Sequence, residues 1–129
     1  MPEMDGVEAV KGTNPYGCVG ILVGWSKDVT VDGCDIAWVY RGDQDFDGIG
    51  FDFEGGGLAE NITLKNSTIR YTDGCGIYIF RNPYGGTKNC IVENCTISYF
   101  GQNPGQSQGV FHNENQQHNL AIFLNSIAV

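Results

Sequence analysis

Asn61 to Phe80 reads NITLKNSTIRYTDGCGIYIF, and its internal order recurs along the chain. An alternating run, Asn-Ile-Thr-Leu, meets a polar step at Lys65, Asn66, Ser67 and Thr68. Ile69, an Asp/Gly turn and Gly-Ile-Tyr-Ile-Phe follow. Upstream, Asp28 to Ile36 reads DVTVDGCDI and Asp47 to Phe53 reads DGIGFDF. Downstream, Asn89 to Ile97 reads NCIVENCTI, Gln108 to His112 reads QGVFH, and Asn119 to Ile127 reads NLAIFLNSI. An opening half copy spans Asp5 to Ala9 and Gly17 to Val23. From Asp28 to Asn61 is 33 residues, from Asn61 to Asn89 is 28, and from Asn89 to Asn119 is 30.

A period of roughly 20–50 residues signals stacked units, because one unit cannot bury its apolar face alone. Each copy holds two or three strand-length alternating runs and no helical period, the pattern of one coil of a parallel β-helix. The expected fold is therefore all-β, a solenoid of about four coils in a single domain. Its coils span 24–57, 58–86 and 87–116, with partial coils at 1–23 and 117–129. Stacking predicts columns: Ile62, Leu64 and Ile69 over Val29, Val31 and Ile36, and Ile77 and Ile79 over Phe51 and Phe53. Cys90, Val92, Ile97 and Val110 face inward in the next coil, with His112 on the inward register beside Ile79. Met1 to Met4 is too short to cover the first coil, and the apolar run LAIFLNSIAV closes the sequence. A piece of a longer solenoid, or end-to-end self-association through uncapped coils, is the expectation.

Seven Lys+Arg against 15 Asp+Glu give a net charge of −8, which repels nucleic acid and anionic membranes. Neither is an expected partner. No run approaches the ~18 apolar residues of a membrane span. No charged-then-apolar leader opens the sequence, so an export signal is expected outside this chain. The five cysteines follow the repeat: Cys18 and Cys75 share a position with Ile49 between them, and Cys34 and Cys95 have Ser67 between them. Positions two coils apart lie at about twice the ~4.8 Å strand spacing, beyond the ~7 Å reach of a disulfide. Free interior thiols are expected, and no Cys/His spacing supports zinc.

Asn61 to Ile69 fits N-x-T-[IVL]-x-N-[CS]-x-I, Asn89 to Ile97 fits it but for Ile91 in place of Thr, and Asp73-Gly74-Cys75-Gly76-Ile77 supplies a DGxGI turn. Together they resemble the right-handed parallel β-helix repeat of the pectate-lyase-like superfamily over nearly the whole chain. The resemblance implies a right-handed solenoid. Asn66 and Asn94 resemble that family's asparagine ladder, interrupted here by Gly33 and Leu124. Its members include enzymes acting on acidic or neutral polysaccharides, tailspikes and epimerases. It thus implies a secreted or cell-envelope module with a polysaccharide or oligosaccharide partner. Polygalacturonase-like and pectate-lyase-like catalytic motifs are absent, and Gly48 to Glu54, GIGFDFE, is similar to a strand of bacterial β-helix domains attached to glycoside-hydrolase-like chains.

Residue chemistry offers several candidates. Asp47 and Asp73 open equivalent turns and form an expected carboxylate pair along the stack. Asp52 and Glu54 share one strand face, roughly 7 Å apart. Glycosidases use two carboxyls at ~5–5.5 Å or ~6.5–9.5 Å, so both pairs are admissible. The catalytic candidates are Asp52, Glu54 and Asp73. Tyr78 and Phe111, expected as outward neighbours of Asp52, could stack on sugar faces, and Arg81 and Tyr84 in the exit loop complete the substrate-binding set. Asp43, Asp45 and Asp47 alternate and could hold Ca²⁺. Against each stands a plainer role: turn capping for Asp47 and Asp73, a solvated face for Asp52 and Glu54, surface pairing for Arg81. The function expected is glycoside hydrolysis or lyase chemistry, with a non-catalytic glycan-binding module or a structural repeat as alternatives.

Overall fold

The computed structural model describes residues 18–42, 48–54, 58–79, 86–103, 111–113, 122–124 and 127–128. Among these residues every regular element is a β-strand, and all pairing is parallel. One sheet runs β1 (Val19–Gly24), β4 (Ile49–Glu54), β7 (Ile77–Ile79) and β11 (Phe111–Asn113). A second runs β2 (Lys27–Asp32), β5 (Leu58–Lys65), β9 (Ile91–Glu93) and β12 (Ile122–Leu124), with β8 (Gly86–Lys88) also on β5. The third runs β3 (Asp35–Val39), β6 (Thr68–Thr72), β10 (Thr96–Ser98) and β13 (Ile127–Ala128). Apart from β8 and β9, which both lie along β5, successive strands fall on different sheets, so each rung hydrogen-bonds to the rungs before and after it. No helix among the described residues is long and apolar enough to cross a membrane.

Period-2 alternation decides what each sheet buries. Val29 pairs with Ile62, Val31 with Leu64 and Leu64 with Val92. Ile36, Ile69 and Ile97 form another column, as do Phe51 with Ile77 and Phe53 with Ile79. Ile62, Leu64, Ile69, Ile77 and Ile79 are fully buried. The stacked columns read from the sequence are therefore the core.

The corner between the second and third sheets turns on one left-handed residue per rung: Gly33 (φ 71°), Asn66 (φ 51°) and Asn94 (φ 54°). Asn and Gly tolerate this region where other residues crowd their own carbonyl. Asn94 Nδ2 donates to Asn66 Oδ1 at 2.7 Å, and Asn66 Nδ2 donates to Asp32 Oδ1 at 2.9 Å. The ladder thus continues past Gly33, because the adjacent Asp32 supplies the acceptor. Leu124 pairs with Glu93 and not with Asn94, so it does not stand in the ladder's register. A second ladder leads into the same sheet, where Asn89 Nδ2 donates to Asn61 Oδ1 and Asn61 Nδ2 donates to Asp28 Oδ1. Replacing Asn66 with Ala removes a donor and an acceptor at once and leaves a β-carbon at positive φ. Its urea midpoint should report a loss of about 1–3 kcal/mol, with Asn66→Gly losing less because it keeps the backbone relaxed.

None of the five cysteines is in a disulfide. Burial pushes the Cys90 thiol up to about 11 and also raises Cys95, which keeps both protonated near neutrality.

Candidate functional site

On the first sheet, the residue between the two inward columns of each strand faces out. This places Leu22, Asp52 and Tyr78 in one register row. The expected pairing of Asp52 with Tyr78 is present. The carboxylate is covered, however: Asp52 is only 4% exposed, whereas Leu22 in the same row is 49% exposed. Asp52 is therefore not part of a solvated face.

The fourth member of the row differs from expectation. His112 pairs with Tyr78, while Phe111 pairs with Ile77 and Asn113 with Ile79. Phe111 is thus not a neighbour of Asp52, and His112 is not on the register of Ile79. A one-residue slip exchanges the two faces of a strand. The adopted register sets Phe111 in line with Phe51 and Ile77, and Asn113 in place of His112 in line with Phe53 and Ile79. Glu54, two residues beyond Asp52 on β4, pairs with Gly24.

Asp73 sits in the shortest of the turns leading into the first sheet, and the neighbouring loops close over it. Its Oδ2 accepts the Arg41 backbone N–H at 3.0 Å. Arg41 then spans to the far side, donating from Nε to the Asn103 carbonyl at 2.7 Å and from Nη2 to Asn103 Oδ1 at 3.3 Å. The Asn103 N–H returns to the Asp73 carbonyl at 3.2 Å, and the Gly101 N–H reaches the Gly74 carbonyl at 2.9 Å. Asp73 is buried under this strap. Through Oδ2 it caps the backbone of the preceding rung instead of its own turn.

The sequence reading missed a row of aromatic rings at the end of the third sheet. Trp38, Tyr71 and Tyr99 all have left-handed backbones, with φ of 60°, 55° and 48°. Trp38 and Tyr71 stack with centroids 4.1 Å apart and an interplanar angle of 7°, and Tyr71 and Tyr99 stack at 4.8 Å and 9°. The spacings, 33 and 28 residues, are those of Asp28, Asn61 and Asn89, so the signal was present in the repeat. Beside the row, Arg70 lies 5.8 Å from the Tyr71 ring centre and grips Asp35 with two bonds of 3.2 and 3.0 Å. The hydrogen bond and charge of Asp35 raise the guanidinium pKa above its already high ordinary value.

Asp43, Asp45 and Asp47, and with them the Asp47/Asp73 pair, lie outside the described residues, as do Arg81 and Tyr84. Among the described residues no group of three or more His, Cys, Asp or Glu side chains is arranged to hold a metal ion.

Three parallel sheets wound rung on rung, with side chains in axial columns, define a parallel β-helix. The family described as right handed beta helix region matches residues 7–128, and the chain belongs to it. No curated protein and no solved structure matches the chain.

Proposed function

We propose that the chain is an extracellular or cell-envelope module that holds polysaccharide against the outer face of its first sheet. The observation that carries this reading is the register of Asp52 beside Tyr78. The half-buried Tyr78 ring, beside the covered carboxylate, offers a sugar an apolar platform. Binding is favoured over turnover because Asp73, expected from the spacing as one half of a pair with Asp47, is buried and accepts the Arg41 backbone N–H.

Hydrolysis is the second reading. Asp52 and Glu54 are two residues apart on β4, roughly 7 Å by backbone rise, within the separation used by inverting glycosidases.

Affinity electrophoresis through gels cast with soluble neutral and acidic polysaccharides tests the first reading. Retardation by at least one polymer is expected, weakened about tenfold in Tyr78→Ala, as for loss of one stacking residue with a coupled contact. Parallel assays should show no new reducing ends and no unsaturated products. Unretarded migration in every gel would overturn binding. Reducing ends that vanish in Asp52→Asn would establish hydrolysis in its place.

A further inference from the structure

The corners of this solenoid solve one backbone problem in two ways. Where the second sheet begins and ends, left-handed positions are filled by Asp28, Asn61, Asn89, Gly33, Asn66 and Asn94. These are the residue types that tolerate positive φ. At the end of the third sheet the same geometry is imposed on Trp38, Tyr71 and Tyr99. Bulky aromatic residues are disfavoured there, and such strain marks positions kept for what the side chain does. Mutual stacking accounts for Tyr71, which has a ring on either side. It does not account for leaving Tyr99 57% exposed at the surface.

We infer that the Trp38–Tyr71–Tyr99 row is a second glycan-binding surface, one that takes a neutral oligosaccharide lying along the solenoid axis. The inference rests on the reading of the chain as a glycan binder, but on different residues. The rings use their faces on one another, so the row offers an apolar ridge with one polar aromatic tip per rung: an indole N–H and two phenol hydroxyls. Rungs repeat at the 4.1 and 4.8 Å ring spacings, so an extended chain can meet successive tips. The charge pattern selects a neutral ligand. Arg70, the cation beside the row, is already paired with Asp35, and the whole chain carries −8. A polyanion would meet net repulsion and a guanidinium already neutralised.

The chain has two tryptophans, so Trp25→Phe leaves Trp38 as the sole indole reporter. In that background, titration with cellohexaose should shift Trp38 emission and saturate. Tyr99→Asn removes a ring while suiting the left-handed backbone, and its fold is checked by circular dichroism and urea midpoint. It should weaken the response at least tenfold, whereas Tyr78→Ala should leave it unchanged. A silent Trp38 up to millimolar cellohexaose overturns the inference, as does an equal response in folded Tyr99→Asn. A response only to hexagalacturonate overturns the neutral class, and sedimentation showing the row covered by a second copy of the chain overturns the ligand. If Trp38 is silent while Tyr78→Ala still weakens gel retardation, this surface fails and the first-sheet reading stands.

Discussion

Gly50→Val should abolish cooperative folding, or cut stability by at least about 3 kcal/mol, near the upper end for overpacking a core. A β-carbon at Gly50 would land on Ile69 Cγ2 and lie 2.7 Å from the Gly76 carbonyl oxygen and 3.3 Å from Thr72 Cγ2. The side-chain neighbour belongs to the buried Ile36–Ile69–Ile97 column, and the second obstacle is backbone of the next rung. Neither can move without shifting the sheets. Gly20 occupies the same position one rung earlier, where a β-carbon would meet the Gly50 carbonyl and Ile36 Cγ2, both at 2.6 Å. The first and third sheets therefore approach so closely that only glycine fits between them. Gly33→Asn is the contrasting case. Gly33 also has positive φ, but a β-carbon there meets nothing within 4 Å, and Asn is what the next two rungs carry. Thermal melts followed by circular dichroism should show Gly33→Asn near wild type and Gly50→Val without a folded baseline.

Phe53→Ala should cost about 3–5 kcal/mol, the usual range for emptying a buried aromatic site. Phe53 is fully buried, stands in column with Val23 and Ile79, and meets Phe51 edge-on at 4.8 Å. A rung of a β-helix has little means of collapsing onto a void, because hydrogen bonds on both sides fix the strand spacing. Against a total stability of about 5–15 kcal/mol, such a loss removes a large part of the margin. Urea denaturation is the appropriate measurement, with Phe53→Leu expected to retain most of the stability. A Phe53→Ala midpoint equal to wild type would show that this column is not the core.

The two variants also separate what the sequence made legible from what it concealed. Apolar columns could be read directly, because alternation fixes the face and the repeat fixes the partner: Val29 over Ile62 and Phe53 over Ile79 follow from spacing alone. The register of β11 could not, since the loop before it has no fixed length and one residue exchanges Phe111 for His112 beside Tyr78. Burial of outward residues was equally hidden. Alternation places Asp52 outside the core but says nothing of what covers it. The capping of Asp73 depends on Arg41 and Asn103, 32 residues before and 30 after it, in loops that share no repeat pattern. The Trp38–Tyr71–Tyr99 row was readable in principle, because it keeps the spacing of the amide ladders.

Both amide ladders point the same way, each Asn side chain donating a hydrogen bond to the rung before it and each line ending on Asp28 or Asp32. An ionised carboxylate has no hydrogen to hand on. The relay is therefore a one-way valve. Extra cassettes of about thirty residues spliced in after Asn61 could copy the Asn-to-Asn link indefinitely. Cassettes spliced in ahead of Asp28 would have to bring donors of their own, so duplication of this module is easier in one direction than the other.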